Sequence, residues 1–277
     1  MELILGGLQD SYVRLVRHVR DNGVPVKCRD QMTFEITAAS LIFPDVTMPL
    51  LPIGVNRGIN LKLAAVEALQ LIAGESCPEL VTAAAPEFTR VLVDASDLDH
   101  AAYGPRTQAQ LNEIITMLKH DPTSRQAVAM IWRRDDLTFD GDKPCTIFLQ
   151  FLIRNEKLEL HTHMRSNDVW LGVPYDVFAF TQLQQSVARA LHRQVGQYVH
   201  HATSLHLYER DLERAAKLQM TDPDAGEPPL PHGIRYRHGD FPSDWLPIRA
   251  LASNILHGEF STDLNGWYVS QMRKVLT

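Results

Sequence analysis

Between Thr146 and Leu207 the hydrophobic period of the chain changes from two to helical and back, and that switch limits the folds open to it. Thr146 to Arg154 is an apolar, strand-like run, and Leu158 to Met164 alternates as a second strand. Asp176 to Gln194 then sets Leu183, Val187 and Leu191 on one face, which predicts a long helix stopping near Gly196. Val199 to Leu207 is again strand-like. Two strands, a long helix and a further strand predict a sheet with that helix packed on it.

The rest of the chain adds elements of both kinds. Residues 8–22, with Leu8, Val13, Leu15, Val16 and Val19, have helical spacing and stop at Asn22-Gly23. Residues 32–43 alternate through Phe34, Ile36 and Ala38. Leu61 to Ala73 is a long helical pattern ending at Gly74, and 106–119 is another, closing at Asp121-Pro122. Ser124 to Trp132 is strand-like, and an amphipathic segment runs from about Trp245 to Leu256. Residues 221–240 are loop-like, with Pro223, Gly226, Pro228, Pro229, Pro231 and Gly233. There is no internal repeat and no strong boundary. The expected class is α+β, as a single domain over 1–277 with a divergent tail from about 221.

Composition narrows the function classes. The 277 residues suffice for a deep core, and 45% hydrophobic with 22% charged residues is ordinary globular composition. Net charge is −6, and the basic clusters are short (Arg133-Arg134, Arg14 to Arg20). That argues against a nucleic acid polymer and leaves single nucleotides open. The N-terminus lacks a signal pattern, and no apolar run reaches about eighteen residues. No membrane partner and a cytoplasmic location are therefore expected. Cys28, Cys77 and Cys145 form no CxxC pair, so neither a disulfide framework nor a zinc ribbon is indicated.

The motifs concentrate between Asp121 and Tyr208. Lys143-Pro144-Cys145-Thr146 is followed by Gln150-Phe151, then Met164-Arg165-Ser166-Asn167-Asp168, then Leu171-Gly172-Val173-Pro174-Tyr175-Asp176. Asp121-Pro122-x-Ser124-Arg125 precedes them and Ser204-Leu205-His206-Leu207-Tyr208 follows. From about Val24 to Arg210 this layout resembles the thymidylate synthase and pyrimidine hydroxymethylase family. The forms around Met164 and Ser204 are most similar to cytidylate 5-hydroxymethylases. The resemblance implies a large mixed sheet, a sheet-to-sheet homodimer, a pyrimidine nucleoside monophosphate substrate, and 5,10-methylenetetrahydrofolate as one-carbon donor.

The chemistry explains why such residues are needed. C5 of a pyrimidine is a poor nucleophile, and thiolate addition at C6 makes it enolate- or enamine-like. Cys145 is the candidate, with Arg165 and Arg125 expected to lower its pKa. The competing reading is a small buried hydrophobe. Glu67, within an apolar helix, is costly there unless it works or is paired. The resemblance makes it the general acid/base and places Tyr103 of the Tyr103-Gly104 motif near the base; a plain helix-surface Glu is the alternative.

Other roles follow from the resemblance. Arg165 and Ser166 would bind the phosphate, and Arg125 would reach the neighbouring subunit's phosphate, with Gln126 where the family has a second Arg. Arg29 is a weaker phosphate candidate, against a solvated loop Arg. His206 and Tyr208 alternate on a strand and would bind the sugar, against a buried satisfied pair. Asp168 would bind the pterin.

Asp176 stands where a uracil-binding member would carry Asn. Ionised Asp facing uracil O4 sets acceptor against acceptor, at about 1–3 kcal/mol. A carboxyl can accept from cytosine N4 and, if protonated or bridged by water, satisfy N3. This predicts a cytidylate, CMP or dCMP, unless Asp176 merely caps the helix it opens. A synthase needs a dry site for hydride transfer, whereas a hydroxymethylase admits water. Leu92-Val93-Asp94-Ala95-Ser96 in place of a Trp-rich segment, and an unlike C-terminal tail, favour water. The alternatives are a dUMP hydroxymethylase, a thymidylate synthase-type methylase, and a non-catalytic nucleotide-binding relative. A metal hydrolase would have to use His161, His163, His200 and His201, but no suitably spaced carboxylate completes a set, so no metal is expected.

Overall fold

The computed structural model describes residues 1–46, 50–86, 95–221, 242–259 and 267–276. The strands are β1 (Glu2–Ile4), β2 (Val24–Cys28), β3 (Gln31–Phe43), β4 (Val128–Met130), β5 (Thr146–Arg154), β6 (Lys157–Met164), β7 (Asn167–Asp168) and β8 (Gln194–Tyr208). They join one eight-stranded sheet in the order β1-β3-β8-β6-β5-β4, with β2 on β3 and β7 on β8. The helices are α1 (Leu8–Asn22), α2 (Leu61–Ala73), α3 (Pro78–Ala84), α4 (Ala95–Ala101), α5 (Tyr103–His120), α6 (Val173–Ala190), α7 (Leu212–Ala216), α8 (Trp245–Leu256) and α9 (Trp267–Leu276).

The sheet is mixed, as expected: β6 pairs parallel with β8, whereas β5 with β6 and β3 with β8 are antiparallel. Parallel neighbours need a long crossover, and α6 is that crossover. It packs on both strands it connects. One cluster of buried apolar residues runs from Leu5 to Met272, and α2 and α6 pack against each other inside it. No helix among the described residues is long and apolar enough to cross a membrane.

The apolar pattern and its stop signals place α1, α2 and α8 where the spacing predicts them. On α2, the Asn60 side chain accepts the Leu63 N–H at 3.0 Å, and Gly74 closes the helix at φ +78°. Two helices begin earlier than expected. α6 starts at Val173 rather than Asp176, and α5 at Tyr103 rather than 106. Each admits a Pro, Pro174 or Pro105, in its first turn, where the missing N–H costs nothing. α6 also ends at Ala190, because Gln194 already belongs to β8.

Gly172 holds the N-cap position of α6, so Asp176 does not cap it. Of Ser124 to Trp132, only Val128–Met130 forms ladder; Ile131 and Trp132 both donate to the Ile147 carbonyl instead. The loop expected at 221–240 lies, from 222 on, outside the described residues.

Candidate active site

Antiparallel pairing of β5 with β6 brings the start of one strand beside the end of the other. Cys145, just before β5, therefore meets Arg165, whose backbone N–H donates to the Cys145 carbonyl at 2.8 Å. The chain continues into β7, where Asp168 pairs with His206 of β8, and then into α6. α2 and the start of α5 close the other side. The result is a cavity of ≈ 240 Å³ whose lining includes Glu67, Tyr103, Cys145, Asp176 and Phe180. Residues from four separate segments, each singled out by motif, thus meet in one place. Gly104 makes room for this: a Cβ there would lie 2.5 Å from the carbonyl oxygens of Gln70 and Glu75. Tyr103 then stacks on Phe180 with ring centroids 5.9 Å apart.

Burial governs the protonation of these groups. It raises Glu67 to about 8, with the nearby Asp176 carboxyl adding to the shift. It raises Asp176 to about 7, against a hydrogen bond from Asn167 that pulls the other way. Tyr103 is held well above its ordinary value by burial and by Asp176. A cavity with two carboxyls near neutrality can hold, give and take protons at working pH.

Cys145 departs from expectation. Burial pushes its thiol up to about 11; Arg165 opposes this, and Asp176, Asp142 and Asp168 reinforce it. Arg125 does not support it: that residue is exposed, before β4, where its carbonyl accepts from Gln150. The site as it stands holds a thiol, not a thiolate.

The phosphate and sugar candidates lie outside the lining of this cavity. Arg165 clamps the preceding loop, donating from Nε to the Pro144 carbonyl and from Nη2 to that of Lys143, both at 2.9 Å. Ser166 follows it, half-buried, in the bend before β7. The ring of His206, nearly buried, meets Tyr208 edge-on at 5.2 Å, so the two do share a face. The charge of Arg165 reaches His206, and those of Asp168 and Arg29 reach Tyr208. Arg29 sits in the tight β2–β3 turn at φ +54°, exposed. Asp168 accepts from the Trp170 N–H at 2.8 Å through Oδ1, while its buried Oδ2 has no hydrogen-bond partner among the described residues. Burial lifts Asp168 to about 6.

Three features escaped the motif reading. Asn167, the variable position of the Arg-Ser-x-Asp element, donates to Asp176 at 2.6 Å. His200, read only as a possible metal ligand, points instead at Asn167, 3.2 Å away, while His161, His163 and His201 stack together. Arg57 lies over the rings of Tyr12, Trp170 and Tyr175 and donates to the Trp170 carbonyl. Alternation along β8 could have separated His200 from His201; nothing in the local sequence marks Arg57. Among the described residues, Glu75, Cys77 and His257 bring ligand atoms within 4.8 Å of one another. Glu75 is hydrogen-bonded to His257 at 2.8 Å, and burial raises the Cys77 thiol to about 11, so the trio reads as a hydrogen-bonded side-chain pair beside a protonated thiol.

The family model described as thymidylate synthase matches residues 10–232. The chain belongs to the thymidylate synthase family. Similar proteins include the thymidylate synthase of Bacillus licheniformis, 35% identical over 104 residues, which are 38% of this chain and 37% of that protein. The thymidylate synthase of Bacillus phage phi3T is 33% identical over 111 residues, 40% of this chain and 39% of its own. Thymidylate synthase 1 of Bacillus subtilis strain 168 is 32% identical over 111 residues, with the same shares. The match thus spans well under half the length of these relatives. Family membership accounts for the motif layout around Cys145.

Proposed function

We propose that the protein is a cytidylate 5-hydroxymethylase, acting on CMP or dCMP as a homodimer of single-domain chains. The observation that carries this is the carboxyl of Asp176, lining the same cavity as Cys145 with its pKa raised to about 7. Near neutrality such a group supplies both an O–H and an acceptor oxygen, the pair that cytosine N3 and N4 require. An ionised carboxylate has no donor for cytosine N3 and sets acceptor against acceptor at uracil O4.

In this reading Cys145 gives its thiol proton up to solvent, Sγ bonds to C6, and the C5=C6 electron pair moves onto C5. C5 takes up the one-carbon unit, and loss of the C5 proton towards the Glu67 side, with the donor's amine leaving protonated as its C–N bond breaks, leaves an exocyclic methylene. Water adds to the exocyclic methylene, its second proton leaves, and the Cys145–C6 bond breaks as the ring double bond re-forms. Glu67, protonated below about pH 8, is the group that holds and moves these protons, and Tyr103 faces the base beside it. 5,10-Methylenetetrahydrofolate supplies the methylene when bound. Asp168 fits it, since its buried Oδ2 has no hydrogen-bond partner among the described residues.

The half-buried thiol needs added positive charge before it attacks. Arg165 supplies part, and the proposed second copy supplies Arg125 across the interface with the phosphate it holds. Ser166 and Arg29 complete the phosphate contacts; His206 and Tyr208 hold the sugar. Water in place of hydride rests on the sequence at 92–96 and the tail, where 92–94, 222–241 and 260–266 lie outside the described residues.

The test is direct. The enzyme is incubated with 5,10-methylenetetrahydrofolate and each of CMP, dCMP, UMP and dUMP, and the products are weighed. A hydroxymethyl gain on a cytidylate is expected. A methyl gain on dUMP would overturn the reading. Cys145→Ser should abolish tritium release from C5-labelled nucleotide, and undiminished release would remove the covalent step.

A further inference from the structure

We propose that Asn167 and His200 are positioning residues that fix which oxygen of Asp176 accepts and which can carry a proton, and so set cytosine against uracil. The proposal rests on the cytidylate reading above. It begins from a continuous buried chain. Asn167 Nδ2 donates to Asp176 Oδ2 at 2.6 Å. His200 Nε2 is 3.2 Å from Asn167 Oδ1. His200 Nδ1 is 2.8 Å from the Tyr198 hydroxyl and 3.2 Å from Thr162 Oγ1, which are 2.8 Å from each other. Thr162, Tyr198 and His200 are fully buried and Asn167 is 3% exposed, so no solvent competes along the chain behind Asp176, which is itself half-buried at the cavity wall.

The proton inventory gives this chain one direction. The Asp176 oxygen is an acceptor, so the amide nitrogen of Asn167 must face it and the amide oxygen must face His200. Then His200 Nε2 must carry hydrogen and Nδ1 must accept from Tyr198 or Thr162. Burial holds His200 at about 3, so it stays neutral and this tautomer persists. Gly172 secures the contact. A Cβ there would lie 2.7 Å from Asn167 Nδ2 and 3.2 Å from Asp176 Oδ2, so only a residue without a side chain lets the amide and carboxyl meet over it.

The consequence falls on the base. With Oδ2 tied to the amide, a proton taken by Asp176 sits on Oδ1. The carboxyl then shows a donor at Oδ1 and an acceptor at Oδ2, which match cytosine N3 and N4. Uracil needs the reverse order, an acceptor for N3–H and a donor for O4. A free carboxyl could exchange its proton between oxygens and satisfy either ring; the Asn167 tie removes that freedom. Other groups facing Asp176 are Glu67 from α2, Tyr103 from α5, Cys145 before β5, and Tyr198 from β8. Apart from Asn167, none is recorded in a hydrogen bond to its carboxyl.

The experiment compares kcat/KM for dCMP and dUMP, and its pH profile, in the full-length protein and in Asn167→Ala, His200→Leu and His200→Gln, with melting temperatures as a folding check. Asn167→Ala and His200→Leu should lower the cytosine-to-uracil ratio by about ten- to a hundredfold, the loss of one buried hydrogen bond. His200→Gln, which keeps a donor towards Asn167, should retain most of it. The profile limb belonging to Asp176 should move to higher pH in Asn167→Ala, since the bond that favours its ionised form is gone. If the unaltered protein prefers dUMP, the cytidylate reading fails. If it prefers dCMP but Asn167→Ala and His200→Leu fold and keep its ratio and pH midpoint, the positioning proposal fails. Should Asn167→Ala not fold, His200→Leu against His200→Gln decides the matter by the same ratio.

Discussion

Glu67 and Asp176 share one cavity, and two carboxyls in a low-dielectric site do not both ionise cheaply. Glu67 is raised to about 8 in the fold from an ordinary 4.5. The folded state therefore binds this proton more tightly, so its contribution to stability is complete below about pH 4.5 and is lost as pH rises through 8. Glu67→Gln keeps the shape and removes the penalty. It should unfold less readily than the parent at pH 9, by roughly 1–3 kcal/mol in denaturant melts, while losing C5-tritium exchange. Equal stability of the two proteins at pH 9 would show Glu67 to be solvated. Gly172→Ala tests the opposite wall. Its methyl must displace either the Asn167 amide or the Asp176 carboxyl, at about 1–3 kcal/mol, with loss of cytidylate turnover exceeding the loss of stability. Cys145, Glu67, Tyr103 and Asp176, which line one cavity, could be singled out in the sequence because motifs name side chains. The sequence did not show that burial overrides Arg165 at Cys145, because pKa depends on what covers a group rather than on what adjoins it in the chain.

At the scale of elements, the start of α5 carries Tyr103 into the cavity, and a buried ion pair holds that end in place. Arg106 donates from Nη1 and Nη2 to the two oxygens of Asp136 at 2.8 Å each, and from Nη1 to the Ile131 carbonyl at 2.8 Å. His100 Nε2 meets the same carboxylate at 2.7 Å. The guanidinium holds Asp136 well below the usual carboxylate range. Arg106→Ala leaves that fully buried carboxylate without its main partner. It should cost about 3–5 kcal/mol in urea melts, and it should weaken turnover by loosening Tyr103. A cost under 1 kcal/mol would mean that the pair is solvated in solution. Nothing in the sequence linked Arg106 to Asp136, since thirty residues and two connections separate them. Long helices were legible because a 3.6-residue period repeated over three or more turns survives local noise. β1 and β2 were not, since three to five residues carry too little pattern.

For the whole molecule, α+β class and a helix-covered sheet were readable from the order of periods, but the strand order was not. Pairing β3 with β8 joins residues far apart in the chain, and only three-dimensional closure decides it. The same closure creates a feature that the sequence suggested only as a metal set. On β6, Leu158, Leu160, Thr162 and Met164 are buried, while His161 and His163 on the opposite face are half-buried. Across that face Phe148 stacks on His163 at 4.1 Å, His163 on His201 at 4.3 Å, and His201 bonds Ser40 at 2.9 Å. If two copies meet sheet to sheet, as proposed, this stack lies in their interface. Burial, with His201 and His161 beside it, lowers His163 to about 4, and His201 is lowered too. A folded pKa below the unfolded 6.5 means stability that is present above pH 6.5 and lost as pH falls through 4. Melting curves between pH 7.5 and 4 should therefore show stability falling through this window, and His163→Phe should flatten the dependence by keeping the stack without the charge. A fold equally stable at pH 7.5 and 4.5, or a variant with the parent's pH dependence, would place the acid sensitivity elsewhere, with the fully buried His200 the next group to test.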